Sequence, residues 1–220
     1  MDLVTISENV LRDCLGAKAG EEVLIVTDDT KVSIAQALYE GAKNLGCEAM
    51  MTVMKERKLN GEEPPKAVAE AMKAADIVIC PTAKSLTHTN ARIQAVAAGT
   101  RVATMPGITE EMFSQGAMTA DYSAVAELTA KITEMLTECQ TARIEKDGCV
   151  LTLNLEGRKG VPSPGVYREA GQSGNLPSGE AYIAPLEDGV NGEMIIDGSM
   201  VGIGKLDAPL KVVIRDGKLQ

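Results

Sequence analysis

Val23-Leu24-Ile25-Val26 is four apolar residues in a row with no polar alternation. A strand written this way is covered on both faces, as in a parallel sheet with helices above and below. Ile77-Val78-Ile79-Cys80 repeats the pattern, and Val102-Ala103-Thr104-Met105 gives a further strand stopped by Pro106-Gly107. The segments between these runs carry helical spacing. Ile34, Leu38, Ala42 and Leu45 fall in phase and Gly46 closes them. Val68, Met72 and Ala75 follow the turn Glu62-Glu63-Pro64-Pro65, with Pro65 suited to the first helical position. Ala91 to Ala98 is helical and Gly99 caps it; Cys47 to Met54 is another strand candidate.

Upstream, Thr5-Ile6-Ser7-Glu8 has capping-box spacing and opens a helix with Ile6, Val10, Leu11 and Cys14 on one face, ended by Gly16. Downstream, a long helix carries Val125, Leu128, Ile132, Met135 and Cys139. Strands alternating with helices imply right-handed crossovers. The expected fold is α/β, an open, mostly parallel, doubly wound sheet, since the units are too few for an eight-stranded barrel.

After Thr141 the texture changes. Asp147-Gly148 is a two-residue hairpin signal. Leu151, Leu153 and Leu155 alternate with Thr152, Asn154 and Glu156, as in a half-buried antiparallel strand. Residues 157–179 are rich in Gly, Pro and Ser and read as loop. Short strands follow at Tyr182-Ile183-Ala184, Met194-Ile195-Ile196 and Leu210 to Ile214, the last running into Asp216-Gly217 with three residues left for a returning arm. The expected division is 1–141, a Rossmann-like amino-terminal domain, and 142–220, a smaller, β-rich domain that reads as cut short.

With 45% hydrophobic residues, the 220-residue chain can bury a real core, and with 2% aromatics that core is aliphatic. A net charge of −9 argues against a nucleic-acid partner, which needs clustered Lys and Arg. No apolar run approaches a membrane span and no signal peptide precedes the first helix, so a cytoplasmic location is expected. The five cysteines form no C-x-x-C pair; four sit in apolar contexts, which fits buried reduced thiols.

Several residues could carry chemistry. Thr27-Asp28-Asp29-Thr30 lies beyond the first strand, where open α/β sheets bind ligands. It lacks a phosphate-cradling glycine motif, and Asp29 or Thr30 reads as the cap of the next helix. His88, within Ser85-Leu86-Thr87-His88-Thr89-Asn90, is the chain's one histidine: a general base for a neighbouring hydroxyl, or a loop residue beside a helix cap. Arg101 flanks another strand, and Pro106-Gly107-Ile108-Thr109 makes a turn into a helix. Arg158 either clamps a carboxylate or is solvated. Glu180 follows Pro177-Ser178-Gly179, where Gly179 permits close backbone approach or positive φ. That aims a carboxylate at a metal or substrate; the alternative is a strand-edge glutamate paired with a lysine.

Asn175-Leu176-Pro177-Ser178-Gly179-Glu180, Ala184-Pro185-x-Glu187, Asn191-Gly192 and Ile196-Asp197-Gly198-Ser199 together resemble the metallo-aminopeptidases of the leucyl aminopeptidase, aminopeptidase T and aminopeptidase S type. Ser85-Leu86-Thr87-His88-Thr89, Met105-Pro106-Gly107-Ile108-Thr109 and Asp121-Tyr122 extend the likeness over essentially the whole chain. The resemblance implies a metal-dependent hydrolase acting on peptides, with Glu180 as its first metal-binding glutamate, and possible homodimers. It implies zinc, cobalt or manganese in the complete enzyme; its other ligands lie beyond the region matched, so this chain alone need not hold metal and is expected to be inactive. A non-catalytic binding or scaffold module is the alternative. A metal-dependent ring-opening dioxygenase of related fold ranks last, because such enzymes also need downstream His and Asp ligands.

Overall fold

The structure, a computed structural model, describes residues 2–220. By compactness the chain forms two units. One holds Met1–Leu128 and Ser163–Glu180; the other holds Thr129–Pro162 and Ala181–Gln220. Residue 142 lies within a strand of the second unit, and the segment 163–180 returns to the first.

The first unit opens with α1 (Leu3–Asn9), which runs on as a π-helical turn (Val10–Cys14). Its cap is Asp2, whose side chain accepts from Thr5 N at 2.9 Å, so the expected capping box at Thr5 is displaced; Glu8 instead accepts from Asn44 Nδ2. Ile6, Val10, Leu11 and Cys14 are buried, as the spacing requires. Then come β1 (Glu22–Asp28), α2 (Val32–Asn44), β2 (Glu48–Met54), α3 (Lys66–Ala74), β3 (Ile77–Thr82), α4 (Asn90–Ala97), β4 (Arg101–Pro106) and α5 (Glu110–Ser114). Pro65 caps α3 from just outside the helix rather than from its first position.

β1 to β4 form a parallel sheet in the order β2-β1-β3-β4. Successive strand residues serve opposite faces. Val23 and Ile25, Ile77 and Ile79, and Ala103 and Met105 pack with α1, α2 and α5 in one core. Leu24 and Val26, Val78 and Cys80, and Val102 pack with α3 and α4 in the other. Both faces are therefore covered, which is why the apolar runs show no alternation. The expected doubly wound α/β sheet is what these residues build.

α6 (Tyr122–Glu138) leads into β5 (Thr141–Lys146), β6 (Cys149–Asn154) and β7 (Val161–Ser163). The stretch that reads as loop then supplies β8 (Ser173–Asn175), a fifth parallel strand beside β4, followed by β9 (Glu180–Tyr182), which pairs with β7. β10 (Val190–Ile196), a ribbon of β11 (Ser199–Met200) and β12 (Gly204–Lys205), β13 (Leu210–Arg215) and β14 (Lys218–Leu219) complete the chain. The second unit's antiparallel sheet runs β14-β13-β10-β6-β5. Both Asp-Gly hairpins close as expected, with Asp147 and Asp216 each at φ 48°.

Candidate polar site at the carboxyl edge

Strand order in the first unit reverses between β1 and β3, the position where doubly wound sheets bind ligands. Here that crevice is stitched shut by Asp28, whose side chain is fully buried. Oδ1 accepts from Thr30 N at 3.0 Å and Thr30 Oγ1 at 2.6 Å; Oδ2 accepts from Ala83 N at 2.6 Å. Thr27 Oγ1 donates to Pro81 O at 2.8 Å. Asp28 thus joins the ends of β1 and β3, its buried carboxylate engaged in three internal hydrogen bonds. The expected cap at Asp29 or Thr30 is absent: α2 begins after Lys31 with no side-chain cap, and Thr30 serves Asp28.

A different arrangement stands one strand over, where β3, β4 and β8 end. Ser85 Oγ donates to Thr87 Oγ1 at 2.8 Å. Thr87 Oγ1 and Thr104 Oγ1 are 2.8 Å apart, and they lie 2.9 and 2.8 Å from Asn175 Oδ1. With the amide oxygen inward, each hydroxyl proton finds an acceptor, and the Asn175 side chain turns Nδ2 away from the cluster. The residue is exposed, and Nδ2 makes no hydrogen bond among the described residues. Arg92 braces this ledge, donating from Nε to Thr87 O at 2.8 Å and from Nη1 to Ser173 Oγ at 2.9 Å.

β8 reaches this position because Gly174 lets the Tyr167 ring lie against its backbone, where a Cβ would collide with the ring; Tyr167 Oη donates to Asn175 O at 3.0 Å. Five residues further on, Gly179 sits at φ +145°, and a Cβ there would come within 2.8 Å of Val125 Cγ1. The expected need for glycine before Glu180 is met. Glu180 itself is exposed at the start of β9, and among the described residues no lysine pairs with it.

The other sequence candidates separate cleanly. His88 is exposed beside the ledge and among the described residues bonds to no carboxylate; Thr89 caps α4, accepting from Arg92 N at 3.2 Å. Arg101 sits at the opposite, amino end of β4. It is buried, donates to Leu15 O at 2.8 Å and Gly16 O at 3.1 Å, and pairs with Glu21 at 2.7 Å, so it braces the scaffold. Thr109 caps α5, accepting from Met112 N at 3.1 Å. In the second unit Arg158 clamps a carboxylate of its own chain, Glu187, at 2.6 Å. Cys14, Cys47, Cys80 and Cys149 are buried and unpaired, and Cys139 is exposed. Burial pushes the Cys14 and Cys80 thiols up to about 12. Among the described residues no group of three or more His, Cys, Asp or Glu is placed to hold a metal ion, and no helix is long and apolar enough to cross a membrane.

The sequence model of the NicX family, 2,5-dihydroxypyridine 5,6-dioxygenase, matches residues 2–217. Among solved structures, the 2,5-dihydroxypyridine dioxygenase of Pseudomonas putida KT2440 superposes with a TM-score of 0.76 at 17% identity, covering 99% of this chain and 67% of that one. AmpT of Thermus thermophilus gives 0.66 at 17% identity, covering 97% of this chain and 69% of that one. No curated protein matches the chain.

These findings correct the expected function. The AmpT likeness supports a distant aminopeptidase-like fold, but the family match is to a dioxygenase, and so is the structure with the higher score. A metal-dependent aminopeptidase acting on peptides, a hydrolase, is overturned, and so is the non-catalytic module offered beside it. The motifs behind that expectation build β8, its exit loop and the turns around the sheet. They describe a scaffold that serves more than one chemistry.

Proposed function

This chain belongs to the NicX (2,5-dihydroxypyridine 5,6-dioxygenase) family, and on that premise we propose that it takes part in oxidative opening of a hydroxylated nitrogen heterocycle. The ledge of Ser85, Thr87, Thr104 and Asn175 receives the ring. Its carrying observation is the unspent Nδ2 of Asn175: a donor whose amide oxygen is held by two hydroxyls, Thr87 and Thr104, suits the oxygen of a hydroxypyridine, an acceptor whether neutral or ionised. His88, exposed beside Thr87, is the imidazole available to accept a proton from a ring hydroxyl.

Glu180 enters as one oxygen donor toward a divalent metal. The residues present do not complete such a centre. Non-haem iron oxygenases use two histidines and a carboxylate, and the sequence holds one histidine, with no group of three candidate ligands among the described residues. The metal is thus not held by these residues alone. The unpaired thiols support a reducing, cytoplasmic setting.

Calorimetric titration with 2,5-dihydroxypyridine under nitrogen tests the reading. Saturable binding is expected, weakened at least tenfold in Asn175→Asp, which replaces the donor by an acceptor. An equal affinity in that variant, or no binding to the parent chain at millimolar ligand, overturns it. Equal Fe(II) retention by Glu180→Gln and the parent removes Glu180 from the proposal.

A further inference from the structure

Arg92 has more to offer the ledge than the two hydrogen bonds that brace it. It is half-buried, and its Nη2 makes no hydrogen bond among the described residues. Nor does it meet a carboxylate among them. The other arginines that are buried or half-buried each do: Arg57 pairs with Glu62, Arg101 with Glu21 and Arg158 with Glu187. Glu63, the carboxylate at the start of α4, is spent on the helix itself, accepting from Asn90 N at 2.6 Å and Ala91 N at 3.1 Å. A charge partly withdrawn from water is ordinarily paired, because burial penalises the charged form. In a chain with 31 acidic side chains against 22 Lys and Arg, this cation stands without one, beside the site.

The guanidinium shares a face of the sheet with the Asn175 amide. Ser173 and Asn175 pair with Val102 and Thr104 of β4, and alternate residues of a strand project to one side. That is the side of α4, where Val102 packs with Ala91 and Ala95. Arg92 reaches it from α4 and is held on Ser173, so its charge lies two strand residues, about 7 Å, back from Asn175. A six-membered ring with substituents at opposite ends bridges such a span. Resting on the ring-binding role of the ledge given above, we propose that the ring it receives carries a carboxylate opposite a hydroxyl. The hydroxyl oxygen accepts from Asn175 Nδ2, and the carboxylate accepts from the free edge of Arg92. A planar guanidinium fork matches a carboxylate in both charge and geometry, which no neutral ring substituent does. The substrate class is thereby narrowed to hydroxypyridine carboxylates, and two donors of unequal charge fix which end of the ring lies where.

Calorimetric titration with a matched pair of ligands tests this: 3-hydroxypyridine, and 5-hydroxypyridine-2-carboxylate, which adds a carboxylate para to the same hydroxyl. The parent should bind the carboxylate about tenfold more tightly, the effect of one hydrogen-bonded charge. That ratio should vanish in Arg92→Gln and persist in part in Arg92→Lys, which keeps the charge. Loss of the brace alone weakens both ligands together and leaves the ratio as it was. Should Arg92→Gln misfold, the uncharged 5-hydroxypyridine-2-carboxamide replaces it, and the parent should bind it no better than 3-hydroxypyridine. Equal affinity of the parent for 3-hydroxypyridine and the carboxylate, a ratio that survives in Arg92→Gln, or a carboxamide that binds as tightly as the carboxylate overturns the proposal. In any of these cases the ledge keeps its ring-binding role if 3-hydroxypyridine binds and is weakened by Asn175→Asp. Binding of neither ligand at millimolar concentration overturns both.

Discussion

The two sheets of this chain use polar groups in opposite ways. In the first unit, β1, β3 and β4 are buried on both faces, so every polar side chain at their carboxyl ends has had to find a partner. Asp28 is fully buried and makes three hydrogen bonds. In the second unit the strands are half exposed, and their charges lie in water as the pairs Lys146–Asp197, Lys211–Glu193 and Arg158–Glu187. Exposed pairs of this kind are worth little and report little about function. Asn175 differs from both: its Oδ1 is held by the Thr87 and Thr104 hydroxyls while its exposed Nδ2 has no partner among the described residues, whereas the more conspicuous Arg158 is already paired.

The largest contrast should show in the thiols. Cys14 and Cys80 belong to the first unit's cores and titrate near 12 because burial disfavours the thiolate. At pH 8 such a thiol is ionised roughly a thousandth as often as an ordinary one, before access is considered. Exposed Cys139 should therefore take up iodoacetamide orders of magnitude faster than Cys14 and Cys80. Mass spectrometry of the native protein is expected to show Cys139 labelled well ahead of those two, and five labels after unfolding. Fast labelling of Cys14 or Cys80 would mean that the first unit opens locally, and the contrast would fail.

Next comes the carboxylate at the switch point. Asp28→Ala removes a fully buried carboxylate and with it the acceptor of the half-buried Ala83 amide and of exposed Thr30. A loss of roughly 1–3 kcal/mol in urea unfolding is expected. Asp197→Ala, at an exposed pair of the second unit, should leave the urea midpoint almost where it was. Equal shifts for the two variants would show that burial does not separate structural from incidental polar groups here.

Legibility followed the same division. Val23-Leu24-Ile25-Val26 and Ile77-Val78-Ile79-Cys80 announced the sheet because burial on both faces is written in composition alone. The Asp-Gly hairpins were equally plain, since few residues tolerate the turn they form. β8 was not legible. Ser173-Gly174-Asn175 has no apolar residue, and its pairing with β4 rests on Tyr167 lying against Gly174. The ledge was hidden with it, because Thr87, Thr104 and Asn175 come from three distant segments. One signal was available: Thr104 is the polar residue inside an otherwise apolar run. Glu180 was legible as a carboxylate held by its glycine, but the chemistry attached to it came from likeness to a scaffold shared by a dioxygenase and AmpT.

The smallest effect belongs to Arg158 and Glu187. The Arg158 guanidinium, 2.6 Å from Glu187 Oε2, holds that carboxyl below its ordinary 4.5 by hydrogen bonding and charge. A carboxyl whose folded pKa is depressed stabilises the fold above its unfolded pKa, and the contribution fades as pH falls through the lower folded value. The side chain of Glu187 is 86% exposed, so solvent screens most of the gain. Carbon-detected NMR titration should find the Glu187 midpoint below that of a free glutamate in the parent and returned toward 4.5 in Arg158→Ala. The urea midpoints of the two proteins should differ slightly at pH 7 and converge as pH drops through that depressed value. A difference that widened on acidification would reverse the sign, and would mean that Arg158 supports the second unit through packing of its stem rather than through its charge.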